Sequence, residues 1–560
     1  MRAMTSKMSP RRSLASALMA CAILLGAAVP SAYADTVDVV EITGGKVRGV
    51  ETDVPGVRLF KGIPFAAETS GANRWLPPQP VKPWEGVMAA DEWPDQVVQD
   101  INLNPVGTFW GDEFYYDRTF LPPASEDSLK LSLYTPAATS DENLPVYFWI
   151  HGGGNDHGYA SEIEFWAPKL AEKGVIVVQV QYRVGPLGFL ALDELSKESP
   201  KGASGNYALL DLVAALQWVK DNIKGFGGDP SRVTIGGQSA GGRNSVVLLK
   251  SPLAKGLFHR AVIQSGFGGI LPQEFKTLEK ANADNAAALQ AIFGKPTSLA
   301  DLRALPTTAF TQMMVKDDIL YTALDKAIGE YIVDGYSLTQ ESVDLLRPRA
   351  LDGIDILIGG TSDERTSQRG GPDRTFTAEE FDAAMTKIYG SGAYKDVYEP
   401  SDPQEAYRMS LRADTDFEFQ KALMSAQYAK AHNADNNVFA YYFNHVPPGR
   451  NAEFYGAFHS SDLWYFFNSL REWPGQRHWT DADYRMADTI SSYLANFIKK
   501  GDPNGEGLPE WPQPTDGSAF MRFADGYASV VESTPYPSRD MLNRETVFKN
   551  YSLREADLTR

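Results

Sequence analysis

Between residues 146 and 358 one pattern recurs that leaves few architectures open. Val146–Ile150, Val175–Gln181, Val233–Ile235, Ala261–Ile263 and Ile354–Ile358 are short, continuous apolar runs of strand length. A strand that is apolar on both faces belongs inside a largely parallel sheet covered by helices, because a half-exposed strand would alternate apolar with polar residues. Helical patterns lie between the runs, most plainly Tyr207–Ile223, where Leu210, Val213, Ala214, Leu216 and Trp218 fall mostly on one face. Strands alternating with helices predict an α/β fold, a central and mostly parallel sheet flanked by helices. In such sheets ligands bind at the carboxyl ends of the strands, so reactive groups are expected just after these runs. Ahead of them, Val39–Val50 with its Gly44-Gly45 turn predicts an antiparallel N-terminal hairpin.

Composition narrows the class of partner. The 560 residues carry 53 Lys and Arg against 71 Asp and Glu, a net charge of −18 with no basic run, which excludes the phosphate neutralisation that nucleic-acid binding requires. Residues 1–34 hold Arg2, Lys7, Arg11 and Arg12, then an apolar stretch from Leu14 to Val29, then Ala32-Tyr33-Ala34, the order of an export signal. Cleavage after Ala34 predicts a periplasmic or secreted protein in which 35–560 form a single large domain, since no linker or repeat divides them. No later stretch reaches the ~20 apolar residues of a membrane span. Cys21 is the only cysteine, so the mature chain has no thiolate for catalysis and no internal disulfide.

After the run Val233–Ile235 comes Gly237-Gln238-Ser239-Ala240-Gly241, a G-x-S-x-G between a strand and a predicted helix starting near Ala240. A sharp turn there would strain the serine backbone, tolerate only small neighbours and aim Oγ away from the sheet. His151-Gly152-Gly153-Gly154 follows the run Val146–Ile150, where backbone N–H groups bare of side chains can form an oxyanion hole. A serine at such a turn needs a histidine base and an acid. Of seven histidines five follow Ser239, and residue types alone do not choose among them. His151 and His157 have no further Cys or His nearby to complete a metal site, and no cofactor is expected.

The segment Asn206–Gly242, with Trp218-Val219, Phe226-Gly227-Gly228-Asp229-Pro230 and Gln238-Ser239-Ala240-Gly241-Gly242, resembles the type-B carboxylesterase and cholinesterase family. Gly62-Ile63-Pro64-Phe65, Arg74 with Pro77-Pro78, Ser125-Glu126-Asp127, Tyr182-Arg183 and Gly501-Asp502-Pro503-Asn504 follow in the family's order, so the resemblance covers the mature chain. It implies the α/β-hydrolase fold and a serine carboxylic-ester hydrolase acting on a small-molecule ester through an acyl-enzyme. The family's acid motif falls on Asp363-Glu364-Arg365, making Glu364 the acid, and its histidine motif on Gly456-Ala457-Phe458-His459, making His459 the base. Its oxyanion donors fall on Gly153, Gly154 and Ala240, a serine that supports the triad on Ser265, and a structural ion pair on Arg74 and Glu126.

Departures from the family pattern mark the expected specificity. Arg365 replaces a glycine beside the acid, leaving Asp363 as the fallback acid; Gln238 replaces a glutamate before the serine. Asn155 stands where an aromatic usually follows the glycines, and Trp464 where a proline is common. Asn155 and Trp464 are therefore expected pocket residues, favouring short, polar or aromatic esters, and Trp110 joins them from the aromatics Phe109, Trp110, Tyr115 and Tyr116, which either line the mouth of the site or pack within their loop. The same machinery serves carbamates, lactones, amides or polyesters. A catalytically silent binding module, known among relatives that lost the serine, sits poorly with the presence of Ser239, Glu364 and His459.

Overall fold

The apolar runs become the middle of one eleven-stranded sheet in the computed structural model, which describes residues 38–558 except 101–102, 267, 314–328, 391, 472–476 and 515–518. The predicted leader 1–34, with Cys21 and the cleavage site after Ala34, lies outside the described residues. In chain order the strands are β1 Val50–Glu51, β2 Arg58–Pro64, β3 Lys130–Thr135, β4 Leu144–Ile150, β5 Ile176–Val180, β6 Gly228–Gln238, β7 Arg260–Gln264, β8 Asp355–Thr361, β9 Val438–Phe443, β10 Phe520–Ala524 and β11 Tyr527–Val531. Their order across the sheet is β11-β10-β9-β8-β7-β6-β4-β5-β3-β2-β1. The pairs from β10 through β5 are parallel, and the two margins are antiparallel.

Alternation along β4 shows why its sequence has no polar face. Val146, Phe148 and Ile150 join one buried core while Tyr147 and Trp149 join the other, so both sides of the sheet are covered. The helices Tyr207–Asn222, Ala240–Lys250 and Pro403–His432 pack on the first face, and Asp481–Lys500 on the second. The predicted hairpin forms, with Val39–Ile42 antiparallel to Gly45–Arg48, but with Val87–Ala89 it makes a separate three-stranded sheet. Trp84 seals its turn: a Cβ on Gly44, whose φ is +104°, would meet that ring at 2.5 Å. The structural ion pair forms in full, Arg74 Nε to Glu126 Oε2 at 2.7 Å and Nη2 to Oε1 at 2.5 Å, with Arg74 Nη1 also donating to Arg303 O and Leu305 O.

Register brings the motif ends together. Gly237 of β6 pairs with Ile150 of β4, Gln238 with Gln264 of β7, and Gln264 with Gly359 of β8. His151, Ser239, Ser265 and the turn leading to Glu364 therefore leave the sheet at one carboxyl edge. No helix among the described residues is long and apolar enough to cross a membrane.

Candidate active site

Ser239 sits on the turn between β6 and the helix Ala240–Lys250 with φ 58° and ψ −120°, a strained conformation for a residue other than glycine. Its N–H donates to Gln264 O at 3.0 Å, which pins the turn to β7. The flanking glycines are forced by contact: a Cβ on Gly241 would lie 2.0 Å from Ile150 O, and one on Gly237 2.4 Å from the Gly241 backbone. Ala240 is the first residue of the helix, so its N–H has no intrahelical acceptor. Gly153 has φ +95°, and a Cβ there would meet His157 O at 2.2 Å; Gly154 has φ +66°. Both glycines, Ser239 and His459 line one cavity of about 340 Å³.

His459 Nδ1 is hydrogen-bonded to Glu364 Oε2. The other carboxylate oxygen accepts from Ser265 Oγ at 2.6 Å and Thr361 N at 2.9 Å. Burial pushes the Glu364 carboxyl up, but the His459 charge and these hydrogen bonds outweigh it, and the net shift is downward. Asp363, the fallback acid, turns the other way, to Arg412 Nη2 at 2.5 Å and Ala457 N at 3.1 Å. Arg365 pairs with another carboxylate, its Nε 3.3 Å from Asp414 Oδ2. Gln238 places its amide nitrogen 3.4 Å from His459 Nδ1 and 3.2 Å from Nε2, while its Oε1 accepts from Ser460 Oγ at 3.1 Å.

Of the three expected pocket residues only Trp110 lines the cavity, together with Phe114 and Tyr115. Asn155 is buried, and its Oδ1 accepts from Asn244 Nδ2 at 2.9 Å. Its φ of 69° suits asparagine, and its carbonyl accepts from Gly185 N at 2.7 Å, so it braces the glycine loop from behind. Trp464 is fully buried and stacks on Phe114 with ring centres 5.6 Å apart, backing the cavity wall from inside the core. His151 is likewise structural: its ring stacks on Tyr182, its carbonyl accepts from Tyr182 Oη at 2.9 Å, and burial lowers its pKa to about 3.

The cavity also holds groups that sequence reasoning did not single out, namely Arg243, Glu162 and Glu164. Arg243 had a signal, four residues after Ser239 and hence on the same side of the helix. Burial raises both glutamates, with the charge of Glu162 the second cause for Glu164, so the pair favours sharing one proton. Tyr115 Oη donates to Glu162 at 3.2 Å. A larger cleft of about 810 Å³, lined by Arg408, Arg412 and Arg539, lies beyond Asp363 and does not include Ser239. No cluster of three or more His, Cys, Asp or Glu side chains placed to hold a metal occurs among the described residues.

A strained serine at the carboxyl edge of a mostly parallel sheet, lining one cavity with a histidine that is bonded to a carboxylate, marks the α/β-hydrolase fold. The chain belongs to the carboxylesterase family, whose sequence profile matches residues 36–530, and it is by that membership a carboxylic ester hydrolase. It is 32% identical to a fumonisin B1 esterase of Sphingopyxis macrogoltabida over 91% of each chain. With a para-nitrobenzyl esterase of Bacillus subtilis it shares 33% identity over 84% of this chain and 91% of that one. A solved PNB esterase superposes with a TM-score of 0.73 at 29% identity, covering 90% of this chain and 99% of the other. The carboxylesterase EST55 of Geobacillus stearothermophilus gives 0.72 at 29% identity, with 90% and 99% covered.

Proposed function

We propose that the protein cleaves small-molecule carboxylic esters through an acyl-enzyme, with Ser239 as nucleophile, His459 as base and Glu364 as the acid that orients it. The observation that carries this reading is the hydrogen bond between His459 Nδ1 and Glu364 Oε2, made beside the cavity that Ser239 lines. With Nδ1 committed to the carboxylate, Nε2, which the Gln238 amide nitrogen approaches at 3.2 Å, is the nitrogen that takes the Ser239 proton and returns it to the departing alcohol once that amide gives way. Backbone N–H groups of Gly153, Gly154 and Ala240 stabilise the negative oxygen of the tetrahedral intermediate, and water then repeats the sequence to release the acid. Residues 1–34 direct export and are removed after Ala34; the mature N-terminus, read by sequencing, should be Asp35.

The test is hydrolysis of a series of 4-nitrophenyl esters by the wild type and Ser239→Ala. The variant should lose on the order of 10⁶ in kcat. A fluorophosphonate should label Ser239 stoichiometrically, as read by mass spectrometry of the tryptic peptide. Hydrolysis persisting in Ser239→Ala, or label at another residue, defeats the assignment.

A further inference from the structure

Arg243 stands one turn into the helix that Ser239 opens, its N–H bonded to Ser239 O at 3.0 Å. Its side chain lines the cavity shared by Ser239 and His459. The fold supplies a carboxylate to Arg74 from Glu126, to Arg183 from Asp211 and to Arg412 from Asp363, though among the described residues none pairs with Arg471. It supplies none to Arg243: among the described residues no carboxylate comes within ion-pair distance, and its Nε is enclosed without a hydrogen-bond acceptor. The two glutamates of the cavity, both pushed up by burial, make no ion pair with it. Arg365, the other cation of the cavity wall, is held by Asp414.

A half-buried guanidinium whose Nε has lost water without gaining an acceptor is costly to a folded chain, and such local rule-breaking gathers where a ligand completes the set. The missing partner is an anion, and its planar fork suits a carboxylate better than a point charge. We propose that Arg243 binds a free carboxylate carried by the ester substrate, so that this enzyme prefers anionic esters with a few carbons between that carboxylate and the scissile bond. The spacing follows from the helix: four residues advance about 6 Å, which places the guanidinium within one short chain of the serine. The inference rests on the ester-hydrolase reading above. The carboxylate can be borne by the acyl group, as in a dicarboxylic half-ester, or by the alcohol, as in an acylated hydroxy acid.

The experiment measures, on the purified mature chain, kcat/KM for paired substrates that differ only in charge. One pair is 4-nitrophenyl hemiglutarate and its methyl-capped diester; the other is the butyrate ester of 4-hydroxybenzoate and that of its methyl ester. The wild type should favour the anionic member of one pair by about 10-fold or more, and the preference should shrink as salt is added. Arg243→Gln should cut that ratio by about 10-fold, with Arg243→Lys between the two. Which pair responds identifies the side of the ester that Arg243 serves. A wild type that hydrolyses the neutral esters without preferring the anionic ones overturns the proposal and leaves the esterase reading standing. So does an Arg243→Gln variant that slows both members of each pair equally. Failure to cleave any ester removes the esterase reading and this inference with it. Should Arg243→Gln not fold, the wild-type ratio, its salt dependence and Arg243→Lys still decide.

Discussion

Ser265 Oγ donates to Glu364 Oε1 at 2.6 Å from the end of the neighbouring strand, at a serine whose own φ is 49°. With Thr361 N on the same oxygen at 2.9 Å, that half of the carboxylate is spoken for, and only Oε2 is left to meet His459. The Glu364 carboxylate is thus held in one orientation by three hydrogen bonds.

Glu364→Gln should therefore lower kcat by on the order of 10⁴, because an amide facing Nδ1 no longer holds the tautomer that leaves Nε2 free to accept a proton. Asp363→Asn should keep most activity and instead lower the melting temperature, since its carboxylate pairs with Arg412 and accepts from Ala457 N. Comparing kcat and thermal unfolding for the two variants checks this. The opposite ranking would move the acid to Asp363.

Asn155→Phe should act on stability and leave substrate preference unchanged. The site is buried, has φ 69° and carries the Asn244 hydrogen bond, so a ring there is overpacked, backbone-strained and robs Asn244 of its acceptor. A loss of about 2–4 kcal/mol is expected from urea unfolding. An altered acyl-chain profile at wild-type stability contradicts this.

Asp462 sets part of the pH dependence of folding. Burial pushes its carboxyl up to about 7, against the hydrogen bond from Tyr441 and with the charge of Glu364 adding to the rise. A folded-state value above the ordinary 3.8 means that the native protein holds this proton longer than the unfolded chain. The resulting stability is complete below pH ~4 and is lost as pH rises toward about 7. Asp462→Asn, neutral throughout, should gain on the wild type at pH 8 and show no gain at pH 4. Unfolding curves across that range test it. Asp416, also raised to about 7 by burial, keeps a residual slope of the same sign in the variant.

Glu126→Gln should cost about 3–5 kcal/mol, because it leaves the Arg74 guanidinium buried without its counter-ion, with the carbonyls of Leu302, Arg303 and Leu305 still to bind. Urea unfolding measures this, and a change under about 1 kcal/mol would show that the carbonyls alone suffice.

What could be read from the sequence was what repeats locally. Doubly buried strands announce themselves as unbroken apolar runs, and the turn at Ser239 announces itself through glycines that no larger residue can replace at 2.0 Å from Ile150 O. Family resemblance pointed to His459 and Glu364, and the structure sets the two side by side. Pocket membership was another matter. Asn155 and Trp464 neighbour reactive residues in sequence yet face the core, because one residue's step along a loop reverses its side chain, and that direction is fixed by distant partners such as Asn244 and Phe114. Arg243 went unnoticed for the complementary reason: its distinguishing property is a partner that the fold withholds, which no linear string displays.

The register that gathers the edge also dictates when chemistry can begin. Gln238 and His459 meet across 221 positions, and Glu364 and His459 across 95. On the ribosome, Ser239 emerges long before His459 is translated, and β8 must already lie beside β7 before Glu364 can be held by Ser265. On the proposed mechanism a nascent or truncated chain ending ahead of residue 459 lacks its base however well its first half folds, and esterase activity then gauges how much of the polypeptide has been finished.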